Sequence, residues 1–185
     1  MIILGIDPGT ATTGYGVIKK IKNKKEIQRL KKRNGSGFKC IVYNTIQTKP
    51  IFSAADRLNY LHKELTKIIK THQPTAIAVE SLFFFKNTKT ALPVSQARGV
   101  ILMTAAKQKI DVYEFSPLEM KMTIAGYGRA DKKEVQKIIK TLLNLQEIPK
   151  PDDAADALGI ALCCAFKLSH QQAKSAKKRR KTLTR

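Results

Sequence analysis

Residues 1–16 read MIILGIDPGTATTGYG, and this stretch decides how the rest of the chain is arranged. Its apolar run ends in Asp7, and a Pro-Gly-Thr turn separates that run from a second extended segment. The pattern predicts two strands, over residues 2–7 and 14–21, joined by a short turn. A run this apolar is typical of a buried strand, so Asp7 stands where the strand leaves the core.

A third extended run, Phe38–Gln47, is rich in β-branched and aromatic residues, which favour strands. Three strands in close succession predict an antiparallel meander. Residues 19–39, which join the second strand to the third, hold ten Lys/Arg residues against one acid, and they include Asn34-Gly-Ser-Gly37. Because that tetrapeptide is typical of turns and bulges, we predict a long, basic β-ribbon extension at 19–39.

The remainder of the chain alternates helical and extended patterns. Apolar spacing predicts a helix over 53–72 with Ser53 as its N-cap, and then a buried strand that ends in Glu80. Further elements are predicted as a helix over 96–109, a strand over 112–115, and helices over about 116–124, 131–144 and 152–168. The order predicts one α/β domain, residues 1–168, whose mixed sheet has three antiparallel strands and then parallel strands, flanked by helices.

The net charge of +21 is concentrated in two segments. Residues 19–39 carry a net +9 and residues 167–185 a net +8, so 17 of the 21 charges lie outside a nearly balanced core. Residues 169–185 show no apolar periodicity, and we expect a basic, disordered tail there. Such segments are typical of proteins that neutralise nucleic-acid phosphates, although basic tails also serve only as solvated surface.

Other compositional features exclude several classes of protein. No apolar run reaches the roughly 18–20 residues that cross a bilayer, so no membrane association is expected. The three cysteines, Cys40, Cys163 and Cys164, have neither disulfide nor zinc spacing. Cys163 and Cys164 lie in an apolar helical stretch and are interpreted as core residues, and the cysteine pattern as a whole indicates the reducing cytoplasm.

Four acids stand at positions that suit metal chemistry. Asp7 and Glu80 each end an apolar strand, and Asp153 and Asp156, spaced i, i+3, share one helix face. Carboxylates gathered in this way cannot all stay ionised without a cation, and oxygen-only ligands favour Mg²⁺ or Mn²⁺. Phosphodiester hydrolysis by two metal ions is the chemistry that uses such a set. Taken singly, each acid also has a structural explanation; Asp153, for example, lies in a first helical turn.

Several segments together resemble the RuvC family of resolvases. Gly5-Ile-Asp-Pro-Gly-Thr10 with Gly14-Tyr-Gly16 resembles the first family motif, and Ala78-Val-Glu80 the second. Ser95-Gln-Ala-Arg-Gly99 is similar to a helix of the family, and Pro151–Leu158 to its last motif. The motifs follow the family's order over residues 1 to about 168. The resemblance implies a ribonuclease H-like fold and a homodimer that cuts four-way (Holliday) DNA junctions by paired symmetric nicks, in recombination and repair.

The resemblance also implies roles for individual residues. Asp7, Glu80, Asp153 and Asp156 match the four catalytic carboxylates, which would bind two Mg²⁺ ions, or Mn²⁺ in their place. Four positions match residues that contact DNA, namely Phe83, Arg98, Lys121 and Lys132. Phe83 has an alternative interpretation, because Phe83-Phe-Phe85 is also typical of a buried strand extension. A branch-migration helicase complex is implied as a partner by the resemblance alone.

The sequence departs from the family in three places: the basic extension at 19–39, Pro93 at the start of the helix predicted over 96–109, and the Lys177–Lys181 cluster. Three alternative functions remain open at this point. An actin-like ATP-binding protein shares a similar phosphate turn but has about twice this length. A non-catalytic junction-binding protein has no use for the carboxylate set. A related nuclease of the same fold would act on other branched DNA or on RNA.

Overall fold

A computed structural model of the chain describes residues 1–32, 34–81 and 88–183, without the side chains of residues 30, 31, 88–90 and 176–183. Its strands and helices alternate along the chain. In order they are β1 Ile2–Asp7, β2 Thr12–Lys20, α1 Lys24–Lys31, β3 Phe38–Gln47, α2 Ala54–His72, β4 Ala76–Glu80, α3 Thr88–Lys107, β5 Val112–Phe115, α4 Pro117–Ala125, α5 Lys132–Leu143 and α6 Asp152–Leu183.

The five strands form one sheet in the order β3-β2-β1-β4-β5. β1, β2 and β3 pair antiparallel, whereas β4 is parallel to β1 and β5 is parallel to β4. This is the predicted mixed sheet of three antiparallel strands followed by parallel ones, and the predicted fold class is confirmed. Because β1 and β4 are parallel neighbours, the acids that end them emerge at the same edge of the sheet.

The sheet separates two apolar cores, since successive strand residues point to opposite faces. Ala76 and Ala78 of β4 face a core built with α4, α5 and α6, while Ile77 and Val79 face one built with α2 and α3. Cys163 and Cys164 are buried in the first core, as predicted. The result is a three-layer α/β/α arrangement in which α6 covers the central strands.

The first helix differs from the prediction. The expected β-ribbon at 19–39 is wrong, because β2 ends at Lys20 and Lys24–Lys31 forms α1. Lys, Glu, Gln, Arg and Leu are strong helix formers, and facing strands of like charge would repel each other. The Asn23 side chain accepts from the backbone N–H groups of Lys25 and Glu26, which stabilises the start of the helix.

Two other helices are longer than predicted. α3 begins at Thr88 rather than near Gln96, so Pro93 is its sixth residue and lies inside the helix. α6 continues to Leu183, where the sequence predicts disorder from residue 169. Once α6 has been nucleated by packing, Ala, Gln, Lys and Arg extend it at little cost, although the sequence beyond residue 169 has no apolar periodicity. Ser53 caps α2 as predicted, by accepting from the Asp56 N–H.

Among the helices that the structure describes, none combines the length and the apolar character that crossing a membrane would require.

Candidate active site

Two of the predicted carboxylates meet at the ends of adjacent parallel strands. Ile6 pairs with Val79 in the β1–β4 ladder, so the next residues, Asp7 and Glu80, leave the sheet side by side. On its other side Asp7 pairs with Gly14 of β2. The turn between β1 and β2 is held by the Thr13 hydroxyl, which donates to the Gly9 carbonyl over 2.6 Å.

The other two carboxylates arrive on α6, which approaches the sheet through glycines. A Cβ atom on Gly14 would lie 2.0 Å from the Asp153 carbonyl oxygen, and one on Gly5 would lie 2.0 Å from that of Ala157. Such distances are far inside van der Waals contact, so only glycine lets the helix backbone lie directly on β1 and β2. The close approach brings the first turn of α6, with Asp153 and Asp156, to the edge that carries Asp7 and Glu80.

Burial and mutual repulsion perturb the carboxyl groups. Burial, the contact with Glu80 and the charges of Glu80, Asp156 and Asp153 together raise the pKa of Asp7 to about 9, and burial has the largest effect. Burial also raises the pKa of Glu80, where the charge of Asp156 adds to it, while the contact with Asp7 and the charge of Lys132 oppose it. Both pKa values are thus shifted toward the protonated form, and a bound cation would oppose that shift, which is the behaviour expected of a metal-binding or catalytic cluster.

Lys132, at the start of α5, supplies one such positive charge. Its Nζ lies 3.1 Å from Asp156 Oδ2 and 3.3 Å from Asp152 Oδ2. Burial lowers the pKa of Lys132, but the attraction of Asp156 and Asp152 outweighs it and the net shift is upward. Burial raises the pKa of Asp156, with Lys132 opposing. Lys132 is therefore in direct contact with the carboxylate cluster.

The residues fit a hard divalent cation that would take some of its ligands from the protein and the others from water and the substrate. In residues 1–32, 34–81 and 88–183, no three Asp, Glu, His or Cys side chains are close enough together to hold an ion by themselves. The donor set is carboxylate oxygen alone, from two strand ends and one helix face. Mg²⁺ suits this arrangement, because it commonly takes one or two carboxylates and completes its shell with water and substrate phosphate.

The other predicted DNA contacts are placed differently. Phe83 lies outside the described residues. Arg98 on α3 donates from Nη2 to both carboxylate oxygens of Glu114, at 2.7 and 2.6 Å. Lys121 is half-buried on α4. Of the three described residues, Lys132 is the one in contact with the carboxylates.

Two features of the site escaped the sequence analysis. Asp152, the residue before Asp153, accepts from Gln136 Nε2 over 2.9 Å and pairs with Lys132. These partners, Gln136 first, lower the pKa of Asp152. The glycines at 5 and 14 were recognised as part of a motif, but their role in seating α6 was not. The signal that could have identified this role is the presence of glycine both on β1, which carries Asp7, and on β2 beside it.

Comparison with known proteins places the chain close to one group. The sequence pattern of the family described as "Crossover junction endodeoxyribonuclease RuvC" matches residues 3–164. A protein of that name from Caldicellulosiruptor saccharolyticus is 48% identical over 163 residues, which cover 88% of this chain and 91% of the relative. The corresponding protein of Heliobacterium modesticaldum is 47% identical over 169 residues, 91% of this chain and 96% of the relative.

A solved structure is similar over nearly the whole fold. Thermus thermophilus RuvC in complex with Holliday junction substrate aligns with a TM-score of 0.80 and 32% identity, covering 91% of this chain and 94% of that one. The similarity therefore extends to a protein whose structure has been solved on junction DNA.

Proposed function

The chain belongs to the RuvC family of crossover junction endodeoxyribonucleases, and on that premise we propose that it resolves four-way DNA junctions by paired symmetric nicks, in recombination and repair. The family consists of hydrolytic, metal-dependent nucleases. The observation that supports the assignment most directly is that Asp7 and Glu80 leave the sheet side by side next to the start of α6, where burial and the neighbouring carboxylates raise the pKa of Asp7.

The four carboxylates are proposed to hold two Mg²⁺ ions, for which Mn²⁺ can substitute. When bound, the ions supply an activated water and stabilise the leaving 3′ oxygen during in-line displacement. Asp7 and Glu80 are fixed by the sheet, and Asp153 and Asp156 by α6, so the ligands are oriented before substrate arrives. A set of preoriented oxygen ligands avoids reorganisation at the moment of reaction.

Four residues are proposed to contact DNA. Lys132, which now pairs with Asp152 and Asp156, is close enough to the site to serve a phosphate next to the cut. Lys121 is proposed to contact the backbone, and Phe83 to stack on an unpaired base, which is worth roughly 1–3 kcal/mol. Arg98 would exchange its partner Glu114 for a phosphate.

The proposed assembly is a homodimer on a four-way junction, in the cytoplasm, with a branch-migration helicase complex as a further partner. Two active sites are needed because paired nicks on two strands require two catalytic centres. Sedimentation of the protein on junction DNA is expected to give two chains per junction. A single chain per junction at cleaving concentrations would contradict the paired mechanism.

The test compares cleavage of a four-way junction with that of linear duplex, Y-fork and RNA–DNA hybrid, in Mg²⁺ and in EDTA. We expect Mg²⁺-dependent cleavage of the junction in strong preference to the other three. Preferred cleavage of the hybrid or fork would instead identify a related nuclease of the same fold. Junction binding without cleavage in Mg²⁺ or Mn²⁺ would identify a non-catalytic junction protein.

The variant Asp7→Asn tests the site itself. It is expected to lower nicking by more than about 100-fold, since even outer-shell partners of a metal cost 10–100-fold when removed. Junction binding in EDTA should be unchanged. The matched control is Asp111→Asn, an exposed carboxylate just before β5, which should nick normally. Nicking by Asp7→Asn at the normal rate would disprove the carboxylate assignment.

A further inference from the structure

The connection between β2 and β3 lies at the end of the sheet opposite the carboxylates. Asp7 pairs with Gly14 at one end of the β1–β2 ladder, whereas the Lys20 N–H donates to the Met1 carbonyl at the other. Asp7 is six residues from Met1, and a strand rises about 3.3 Å per residue, so the ends are about 20 Å apart. The basic segment at 19–39 is therefore remote from the cut.

α5 spans the same distance along the surface. Its first residue, Lys132, contacts Asp152 and Asp156. Near its last turn, the Leu142 carbonyl accepts from the N–H and the hydroxyl of Ser36, at 2.9 and 2.8 Å. Ser36 lies in the loop between α1 and β3, so these hydrogen bonds fix the basic connection against the far end of α5.

Basic side chains follow this path from one end to the other. Lys133, Lys137 and Lys140, spaced i, i+4 and i+7, share one side of α5, where Lys133 and Lys137 are exposed and Lys140 is half-buried. Beyond these lysines, the connection between β2 and β3 carries five further basic side chains that are exposed. These are Lys22, Lys24, Lys25, Arg29 and Lys32. Together they form what we call the α5–α1 track.

The track is little compensated by acids. In the part of the chain that the structure describes, no carboxylate lies within 4 Å of a charged nitrogen of any track residue. Glu26 is the one acid in the basic connection. An ordered, uncompensated row of cations about 20 Å long matches a duplex, whose phosphates recur every 3.4 Å along each strand, over about six base pairs.

We propose that the α5–α1 track binds one duplex arm of the junction, with α1 contacting phosphates about six base pairs or more from the cut. This inference rests on the proposed function and adds a second DNA contact region to it. The region would hold the arm without reading its sequence, because lysines on phosphates position a duplex and carry no base information.

The test combines a charge variant with junctions of two arm lengths. The variant is Lys24→Gln/Lys25→Gln/Arg29→Gln, which keeps helix-forming residues in α1. The control, Lys63→Gln/Lys70→Gln/Lys107→Gln, removes three exposed charges from α2 and α3, in the layer on the other side of the sheet. Binding in EDTA is measured against salt, on arms of about 20 base pairs and on hairpin-capped arms shortened to about five, too short to reach α1.

On long arms the α1 variant is expected to bind more weakly, with a salt slope shallower by up to about 2.7 for three lost contacts. On short arms it should match the unmodified chain, and the control should show no dependence on arm length. Equal losses on both junctions, an equal loss in the control, or no loss at all would each overturn the proposal. An unchanged salt slope on long arms would contradict DNA binding by the track and would indicate that it binds an acidic protein instead.

The experiment distinguishes a failure of the proposed nuclease function from a failure of the proposed DNA contact by the track. The α1 variant should still nick short-armed junctions in Mg²⁺ at the normal rate, because α1 is remote from the carboxylates. If the unmodified chain nicked no junction, the proposed function would be wrong whatever the salt slopes showed. If it nicked normally while the α1 variant bound both junctions like the unmodified chain, the track alone would be wrong.

Discussion

At the scale of single residues, Asp7 is the side chain most affected by its surroundings. The surroundings of Asp7 are apolar on the side of the strand and acidic on the other side. Both the burial and the neighbouring negative charges oppose the ionisation of its carboxyl group. An ordinary structural aspartate has no reason to occupy such a position. The energetic conflict at Asp7 is therefore better explained by a bound cation than by the fold.

That conflict predicts how stability depends on pH in EDTA. The pKa of Asp7 is raised from 3.8 to about 9 on folding, so between those values the folded state holds a proton that the unfolded state has lost. Stability should fall as pH rises through this window, by at most about 1.4 kcal/mol per pH unit from this group. Asp7→Asn, which cannot ionise, should lose that dependence.

Chemical denaturation at several pH values between 5 and 9 measures the effect. The stability of Asp7→Asn relative to the unmodified chain should rise steadily with pH, while Asp111→Asn should run parallel to the unmodified chain. Parallel curves for Asp7→Asn as well would show that Asp7 ionises normally in the folded protein.

At the scale of elements, the site depends on how closely α6 approaches β1 and β2. Helix and strand backbones normally keep their distance because side chains lie between them. Gly5 and Gly14 remove those side chains at the two points of closest approach. The position of Asp153 and Asp156 relative to Asp7 is thus set by residues that have no chemistry of their own.

Gly14→Ala should therefore impair both stability and cleavage. The new Cβ would lie 2.0 Å from the Asp153 carbonyl oxygen, so α6 must move. Overpacking of this kind costs typically 1–3 kcal/mol, and the same displacement should lower nicking by about 100-fold or more, as a 1 Å misplacement can.

Gly99→Ala is the matched control, because a Cβ there meets no atom within 4 Å and alanine favours the α3 helix. Thermal unfolding of both variants measures the predicted loss of stability, and single-turnover nicking measures the predicted loss of cleavage. If Gly14→Ala is as stable and active as Gly99→Ala, the close approach of α6 has no functional importance.

At the scale of the whole molecule, charge and chemistry occupy different regions. The carboxylates lie at one edge of the sheet, and the basic connection of residues 19–39 emerges at the opposite end. The distance prevents the fixed lysines of α1 from neutralising the acids. It also means that the net +9 of this connection can strengthen DNA binding without altering the cleavage chemistry.

Deleting residues 170–185, which hold seven Lys/Arg residues, is expected to weaken binding to every DNA substrate alike. The salt slope should become shallower by about 0.9 for each lost phosphate contact. A full-length variant with those seven residues changed to glutamine separates charge from chain length and should behave in the same way. An unchanged slope in both variants would show that the tail does not touch DNA.

Local patterns were enough to predict most of the fold. β1 lies where the apolar run indicated, β3 lies where the β-branched and aromatic content indicated, and Ser53 caps α2 as its sequence suggested. The same patterns failed at α1, where turn residues in the Asn34–Gly37 segment suggested a hairpin although the residues before it favour a helix. They also failed beyond residue 169, since a helix already nucleated needs no apolar face to continue.

The sequence alone determined which residues are proposed to form the site, because strand-terminal acids and an i, i+3 pair are properties of short segments. Only the tertiary structure decided that α6 rests on glycines, that Lys132 pairs with Asp152 and Asp156, and that the β2–β3 connection leaves the sheet at the end opposite Asp7. Each of these depends on contacts between residues distant in the chain. Such contacts follow from strand register and packing, which no local pattern specifies.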